Sequence, residues 1–246
     1  MALSFTVLGC SGSYSAPGIA CTGYLLESTG AKVWLDAGPG TLSNLQRHCG
    51  LADLDAVVIT HQHIDHWTDL ALAFSALRHH VHRSPLPVYA TAGTRSLACA
   101  LLGKPDLAPA LDWRLISSGH RTLIGDQQWR FSRTDHPVET LAPRVDSGGR
   151  SFAFSADTGA GWSFDRLGPG IHTALCEATF LEADRELGGP HLSAREAGAM
   201  ASDAGVERLM LTHLAPGADT GAAVREASAS FGQPVEAVQQ HRTYEV

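Results

Sequence analysis

One short segment constrains this chain more than any other. It reads Thr-His-Gln-His-Ile-Asp-His and follows the apolar run of residues 56 to 59, which predicts a buried strand. Side chains on an extended chain alternate between its two sides, so His61 and His63 point the same way. Asp65 and His66 follow where the chain should turn into a helix, and they point elsewhere. The segment therefore predicts two neighbouring metal positions.

The residue types in this segment indicate which metal it binds. Imidazole nitrogen and carboxylate oxygen together suit zinc, or manganese or iron with less preference. The segment contains no cysteine, which argues against a closed structural zinc site and favours one with open positions for water. The alternative is a histidine-rich surface loop, which four ligand-type residues at the end of a buried strand disfavour.

Three further ligand-type residues follow predicted strands later in the chain. His136, Asp157 and His213 each come directly after a stretch with the pattern of a strand. Taken singly, each would more often be a capping or solvated residue than a metal ligand. Their order after the histidine-rich segment, each at the end of a strand, favours metal binding by all three.

The pattern His-x-His-x-Asp-His, followed by these residues, resembles the metallo-β-lactamase superfamily of metal-dependent hydrolases. The resemblance implies an α/β fold with four layers in the order αββα. It also implies two divalent metal ions, Zn²⁺ first and Mn²⁺ or Fe²⁺ as alternatives, held by two ligand sets that share one carboxylate. By this resemblance, His61, His63 and His136 would hold one metal, Asp65, His66 and His213 would hold the other, and Asp157 would bridge them.

Two later segments resemble the ribonuclease Z-like phosphodiesterase branch of that superfamily. Residues 176 to 180 read Cys-Glu-Ala-Thr-Phe, and residues 190 to 193 read Pro-His-Leu-Ser. They are close to the His-Glu-Ala-Thr and His-Ser-Thr segments of the branch. Two departures are Cys176, where the branch often has histidine, and Leu192, which separates the histidine from the serine.

His191 is the predicted general acid, and Glu177 is its predicted partner. A carboxylate beside the imidazole would orient it and keep it protonated near neutral pH. Ser193 and Glu196 have the spacing of a capping box, which predicts that a helix begins directly after His191. In the alternative interpretation, Glu177 pairs with His191 only to hold the loop.

The resemblance implies a reaction in which a hydroxide shared by both metals attacks phosphorus in line. The metals would neutralise the charge that develops. His191 would protonate the leaving oxygen, and Asp65, besides binding metal, would accept the proton of the attacking water. The predicted catalytic residues are therefore Asp65, Glu177 and His191.

The expected substrate is a small phosphodiester, such as a 3′,5′-cyclic nucleotide. Branch members that use a protruding arm for tRNA carry it between the positions of His136 and Asp157, where this chain has only 20 residues, 137 to 156. The formal net charge is −7 and the early glycine- and serine-rich segment has no Lys/Arg stretch, so a long nucleic acid is disfavoured. The alternatives are tRNA 3′-end endonuclease activity, then thioester, lactone or β-lactam hydrolysis, then a non-catalytic metal-binding module.

Length and composition set the remaining expectations. At 246 residues the chain is long enough for one large domain, and we expect a single domain over residues 1 to 246. The five cysteines are scattered, the first residues do not read as a signal peptide, and no apolar run approaches the length of a membrane span. We therefore expect a reduced cytoplasmic protein without a membrane partner, and the resemblance implies a homodimer.

Local patterns predict the main elements. Strands come first in runs and then alternate with helices, which predicts two sheets between helical layers. Helical spacing covers residues 41–49, 67–80, 93–102, 193–204 and 220–231, and edge strands are predicted at 235–238 and 243–246. The Pro/Gly-rich pieces at 103–109 and 143–149 predict loops.

A histidine cluster and one arginine could suggest further sites. His79, His80 and His82 are interpreted as the solvated end of the helix predicted at 67–80, where positive charge suits the helix dipole; phosphate contacts or an adventitious metal site are the alternatives. Arg144 is interpreted as a structural residue.

Overall fold

A computed structural model describes residues 2–187 and 189–246. In that part of the chain two seven-stranded sheets face each other, and helices cover the outer face of each sheet. The architecture is the four-layer αββα sandwich that the sequence predicts.

The strands are short and are divided between the two sheets by position in the chain. They are β1 (Ser4–Gly9), β2 (Gly23–Glu27), β3 (Lys32–Leu35), β4 (Ala56–Val58), β5 (Leu86–Ala90), β6 (Leu111–Leu115), β7 (Arg121–Ile124), β8 (Gln127–Arg133), β9 (Leu141–Ser147), β10 (Arg150–Phe154), β11 (Thr173–Glu177), β12 (Arg208–Thr212), β13 (Glu236–Ala237) and β14 (Thr243–Glu245). The first sheet has the order β14-β1-β2-β3-β4-β5-β6, and the second β13-β12-β11-β10-β9-β8-β7. Each sheet is antiparallel on one side and parallel on the other.

The helices lie close to their predicted positions. They are α1 (Thr41–Leu45), α2 (Asp69–His79), α3 (Ala92–Leu101), α4 (Ala194–Asp203) and α5 (Thr220–Phe231), with 3-10 turns at Leu51–Asp53, Ile64–His66, Phe164–Leu167 and Glu182–Leu187. The predicted capping box is present at the start of α4, where Ser193 and Glu196 bond to each other's backbone N–H groups. Helix α1 is shorter than the helical pattern over 41–49.

Three apolar layers hold the sandwich together. Because side chains alternate along a strand, Phe5 of β1 and Phe152 of β10 meet between the sheets, with ring centroids 4.9 Å apart. Trp34 of β3 points the other way and packs beneath the helices α1 to α3, while Leu209 of β12 packs beneath α4 and α5. Both faces of the central strands are therefore buried, which explains their nearly continuous apolar sequences.

The predicted loop over residues 143 to 149 is wrong for most of that range. Residues up to Ser147 belong to β9, which pairs with both β8 and β10. Pro143 is tolerated because the pairing of β9 with β10 extends only to Arg144, so the missing proline N–H lies outside that ladder. The predicted edge strands at 235–238 and 243–246 are confirmed as β13 and β14.

Other predictions concern the cysteines and the membrane. All five cysteines carry free thiols, and burial raises the pKa of Cys10, Cys21 and Cys49 to about 11. Among the helices that the structure describes, none is long and apolar enough to cross a membrane.

Candidate metal centre

The predicted ligands lie at one edge of the sandwich, where strands of both sheets end. His61 follows β4 of the first sheet, while His136, Asp157 and His213 follow β8, β10 and β12 of the second. Because these ends meet, residues distant in sequence become neighbours. His66 and His213 are 147 positions apart, yet their Nε2 atoms are 3.3 Å apart. All seven predicted ligands fall into two adjoining groups.

The first group contains His61, His63, His136 and one oxygen of Asp157. His63 Nδ1 lies 3.1 Å from His61 Nε2 and 3.1 Å from His136 Nε2. Asp157 Oδ2 lies 3.4 Å from His61 Nε2 and 3.9 Å from His136 Nε2. Three imidazole nitrogens and a carboxylate oxygen therefore surround one position.

The second group contains Asp65, His66 and His213. Asp65 Oδ2 lies 3.3 Å from His213 Nε2 and 3.5 Å from His66 Nε2. The other oxygen of Asp157, Oδ1, lies 3.2 Å from His66 Nε2 and 3.5 Å from His213 Nε2. Asp157 thus presents one oxygen to each group, as a bridging carboxylate would.

These arrangements fit divalent metal ions. Four ligand atoms at about 2.1 Å from a tetrahedral metal are about 3.4 Å from one another, close to most of the separations above. Asp157 Oδ1 is buried and accepts no hydrogen bond from the residues that the structure describes. A buried carboxylate oxygen without a hydrogen bond is costly unless positive charge lies beside it, which a metal ion or the protonated His66 and His213 would supply. The residues present could therefore hold two ions.

Contacts behind the ligands support the same conclusion. In four of the histidines Nδ1 faces a protein oxygen, which leaves Nε2 directed at the metal positions. The contacts are His61 Nδ1 to Thr60 Oγ1 at 3.1 Å, His66 Nδ1 to Asp36 Oδ2 at 2.7 Å, His136 Nδ1 to Pro190 O at 3.2 Å, and His213 Nδ1 to Thr179 Oγ1 at 3.1 Å.

Asp36 orients ligands of both groups, and the sequence analysis missed it. Its buried carboxylate accepts hydrogen bonds from His66 Nδ1–H at 2.7 Å and from the Thr60 hydroxyl at 2.9 Å. The same hydroxyl contacts His61, so one carboxylate aligns two imidazoles. The only signal in the sequence was an aspartate at the end of an apolar strand, followed by Ala-Gly-Pro-Gly.

We expect Asp36→Asn to weaken zinc binding by about 10- to 100-fold, because an amide cannot orient His66 and receive the Thr60 hydrogen bond as a carboxylate does. Competition with a chromophoric chelator would measure the affinity. Thr60→Ser keeps the hydroxyl and should bind zinc as the unaltered protein does. Unchanged affinity in Asp36→Asn would show that this carboxylate does not support the ligands.

Burial and charge divide the histidines by protonation. Burial lowers the pKa of His61, and it lowers that of His136 to about 4, so both imidazoles are neutral and offer lone pairs. Burial also opposes the charged form of His66, but the carboxylates of Asp157 and Asp65 outweigh it and raise the pKa of His66. Metal binding would therefore displace a proton from the second group.

The predicted pair of His191 and Glu177 is present beside the ligands. His191 Nδ1–H donates to Glu177 Oε1 at 2.9 Å, and the His191 ring stacks on His213 with centroids 5.5 Å apart. Burial acts to lower the pKa of His191. The hydrogen bond and the negative charge of Glu177 have a larger, opposite effect, and the pKa is raised to about 9. The imidazole is therefore protonated near neutral pH.

Glu177 also connects this pair to the metal ligands. Its carboxylate is fully buried and accepts hydrogen bonds from Thr158 N–H at 2.8 Å and from the Thr179 hydroxyl at 2.8 Å. The Thr179 hydroxyl lies 3.1 Å from His213 Nδ1. Glu177 thus holds His191 directly and His213 through Thr179.

Backbone strain is concentrated around this site. Ser13, Asp36, Ala156 and His213 have φ values of 62°, 56°, 50° and 57°, in the left-handed region that disfavours side chains. Ala156 directly precedes the bridging aspartate. Such conformations cost about 1–3 kcal/mol each and persist where the surrounding structure imposes them, often at functional sites.

A pocket of about 480 Å³ opens onto the ligands. Its described lining contains four of the predicted site residues, His63, Asp65, Asp157 and His191. Substrate-sized molecules can therefore reach both ligand groups and the predicted general acid.

The histidine cluster and the arginine that the sequence analysis considered form no second metal site in the described structure. His79, His80 and His82 belong to none of the potential metal-ligand groups among the described residues, so the alternative of a metal site there is not supported. Arg144 is confirmed as structural, because its guanidinium donates to the carbonyl oxygens of residues 167 to 170 and pairs with Asp146.

Sequence comparisons identify relatives along the whole chain. The family model "Beta-lactamase superfamily domain" matches residues 31–214. An uncharacterized protein of Mycobacterium tuberculosis is 33% identical, with 100% of this chain and 93% of that protein covered. The probable metallo-hydrolase YhfI of Bacillus subtilis is 27% identical over 86% of this chain and 87% of its own length. Ribonuclease Z of Methanopyrus kandleri is 28% identical, with coverages of 86% and 87%.

Solved structures share the fold from end to end. The crystal structure of YhfI from Bacillus subtilis superposes with a TM-score of 0.91 at 25% identity and covers 100% of both chains. The short form of human tRNase Z has a TM-score of 0.77 at 19% identity over 99% of both chains. A diphosphatase of the PhnP family has a TM-score of 0.79 at 16% identity, covering 99% of this chain and 98% of its own. These last two likenesses concern the fold alone. Because the family pattern runs through most of the sequence and YhfI shares the whole architecture, this chain belongs to the beta-lactamase superfamily and is a metallo-hydrolase with the metallo-β-lactamase fold.

Proposed function

We propose that this protein is a dinuclear metal-dependent phosphodiesterase that hydrolyses a small phosphodiester such as a 3′,5′-cyclic nucleotide. The observation that carries the proposal is the His191–Glu177 pair, bonded at 2.9 Å, beside the two ligand groups. Hydrolysis of an alkyl phosphodiester releases an alkoxide that needs a proton, and a protonated imidazole here suits that step. The relative named ribonuclease Z, 28% identical to this chain, supports phosphoester chemistry.

The chain's own groups have separate tasks in this reaction. Bound divalent ions would supply an activated water and neutralise charge on the phosphoryl oxygens. His191 Nδ1 is held by Glu177, so His191 would donate the proton on Nε2 to the leaving oxygen. Asp65 lines the pocket and faces His213 with Oδ2, so its other oxygen would accept the proton of the attacking water.

A second candidate is tRNA 3′-end endonuclease activity, which the ribonuclease Z relative favours. The segment between His136 and Asp157 speaks against it. That segment consists mainly of β9 and β10, joined by a two-residue turn, and contains no protruding arm. We therefore expect precursor tRNA to be cut poorly.

A substrate panel tests the proposal against its alternatives. Protein with measured zinc or manganese content would be assayed with bis(p-nitrophenyl) phosphate, cyclic AMP, precursor tRNA, and a thioester and a lactone. We expect turnover of the first two. Cleavage of precursor tRNA alone would establish the second candidate, and cleavage of only the thioester or lactone would indicate a reaction that does not need His191. No turnover by fully metal-loaded protein would indicate a non-catalytic module.

We expect Glu177→Gln to keep the metals but to lower turnover of cyclic AMP and move the alkaline limb of its pH profile to lower pH. The acid form of His191 is active, so activity falls as pH rises through its pKa. Glu177 raises that pKa; without its charge, burial dominates and the pKa falls. Glu196→Gln alters a nearby carboxylate that caps α4 and should leave the limb in place. A Glu177→Gln profile with unchanged limbs would exclude this positioning role.

A further inference from the structure

We infer that an apolar wall formed by Ile64, Leu97 and Val138 binds the ester group that remains on phosphorus, so that the site selects phosphodiesters with an aromatic or other apolar ester group. The inference rests on the proposed function, because it assumes that the reacting phosphate lies at the metal positions. It assigns a role in substrate specificity to three residues that are neither predicted metal ligands nor predicted proton donors or acceptors.

The composition of the pocket supports this selectivity. Apart from the ligands and the general acid, its described lining consists of Ser13, Gln62, Ile64, Leu97 and Val138. None of these is lysine or arginine, so the described lining offers a second phosphate no cationic partner. Aliphatic side chains, one amide and one hydroxyl remain to recognise the rest of the substrate. Such a mixture is typical of sites that bind a mainly apolar group and orient it by a few hydrogen bonds.

The three residues of the wall come from three separate segments and are at least partly exposed. Ile64 is 66% exposed and lies in the 3-10 turn Ile64–His66, within the histidine-rich segment of residues 60–66. Leu97 is 42% exposed on α3. Val138 is half-buried in the loop after β8. Single exposed aliphatic residues are ordinary on protein surfaces. Here they converge on one pocket that opens onto the ligands, where a bound ester group would remove their apolar surface from water.

Close packing sets the position of Leu97. A Cβ on Gly93, in the first turn of α3, would lie 1.9 Å from Gln62 Oε1. The start of α3 therefore packs directly against the histidine-rich segment of residues 60–66. Residues four apart share a helix face, which places Leu97 one turn further along the same side. Leu101, another turn on, is 60% exposed and does not line the pocket. Leu101 is therefore a matched control on the same helix.

Calorimetric binding of diphenyl phosphate and dimethyl phosphate to metal-loaded protein tests the inference by affinity rather than by the rate of hydrolysis. The two ligands have the same charge and differ in the ester groups. We expect the unaltered protein to prefer diphenyl phosphate, and Leu97→Ala to reduce that preference by about five- to thirtyfold because buried apolar contact is lost. Leu101→Ala should retain the preference. Both substitutions place alanine in a helix, so neither should disturb folding.

The outcomes separate this inference from the proposed function. An unchanged preference in Leu97→Ala, or equal affinities of both ligands for the unaltered protein, would overturn the apolar wall even if bis(p-nitrophenyl) phosphate is hydrolysed. A preference that depends on Leu97, in a protein that hydrolyses no phosphodiester, would support the wall and refute the proposed function.

Discussion

His191→Ala is expected to retain its metals and to lose about 10²- to 10⁴-fold in turnover of cyclic AMP, because the leaving alkoxide no longer receives a proton from a positioned acid. The His191 ring stacks on the ring of His213, and its Nδ1–H donates a hydrogen bond to Glu177. Its loss should leave both ligand groups intact. Turnover and metal content measured on the same sample would check both statements.

A change of leaving group provides the internal control. p-Nitrophenolate leaves as a stable anion, so His191→Ala should lose much less activity towards bis(p-nitrophenyl) phosphate than towards cyclic AMP. His82→Ala changes a histidine that belongs to no described ligand group and does not line the pocket, and it should alter neither rate. Full metal content with an unchanged rate for cyclic AMP would remove His191 from the mechanism.

Asp157→Ala is expected to lower the metal content from about two ions per chain to at most about one, and to reduce turnover by at least about 10³-fold. Asp157 is the one described residue whose two oxygens each face a different ligand group, at 3.4 Å from His61 Nε2 and 3.2 Å from His66 Nε2. Elemental analysis after dialysis, together with the rate for bis(p-nitrophenyl) phosphate, would measure both effects.

The control for this substitution is Asp165→Ala, which removes an exposed carboxylate that lies in a 3-10 turn and belongs neither to the described ligand groups nor to the pocket lining. It should bind about as much metal as the unaltered protein. If Asp157→Ala bound two ions and remained active, Asp157 would not be a bridging ligand, and the dinuclear arrangement would have to be assigned to other residues.

Local sequence patterns were sufficient for the positions of α2 to α5 and for the order of the predicted ligands along the chain, while α1 is shorter than its pattern. Helix α5 spans Thr220–Phe231, as its periodicity predicts, and the ligand-type residues follow β4, β8, β10 and β12 as expected. The loop predicted at 143–149 failed over residues 143–147 because pairing with β8 and β10 outweighed the loop propensity of proline, whereas Gly148 and Gly149 do form a turn. The single domain over residues 1 to 246, the homodimer and the cytoplasmic location stay predictions.

Sequence alone determined which side chains are candidates for the chemistry, since ligand types and strand ends are read over a few neighbouring residues. Only the tertiary structure decided how they work together: that Asp36 aligns His66, that Thr179 joins Glu177 to His213, and that Leu97 reaches the pocket. Those contacts depend on where strands from two sheets end in space. Asp36 and His66 lie 30 positions apart, and Thr179 and His213 lie 34 apart, so no local pattern relates them.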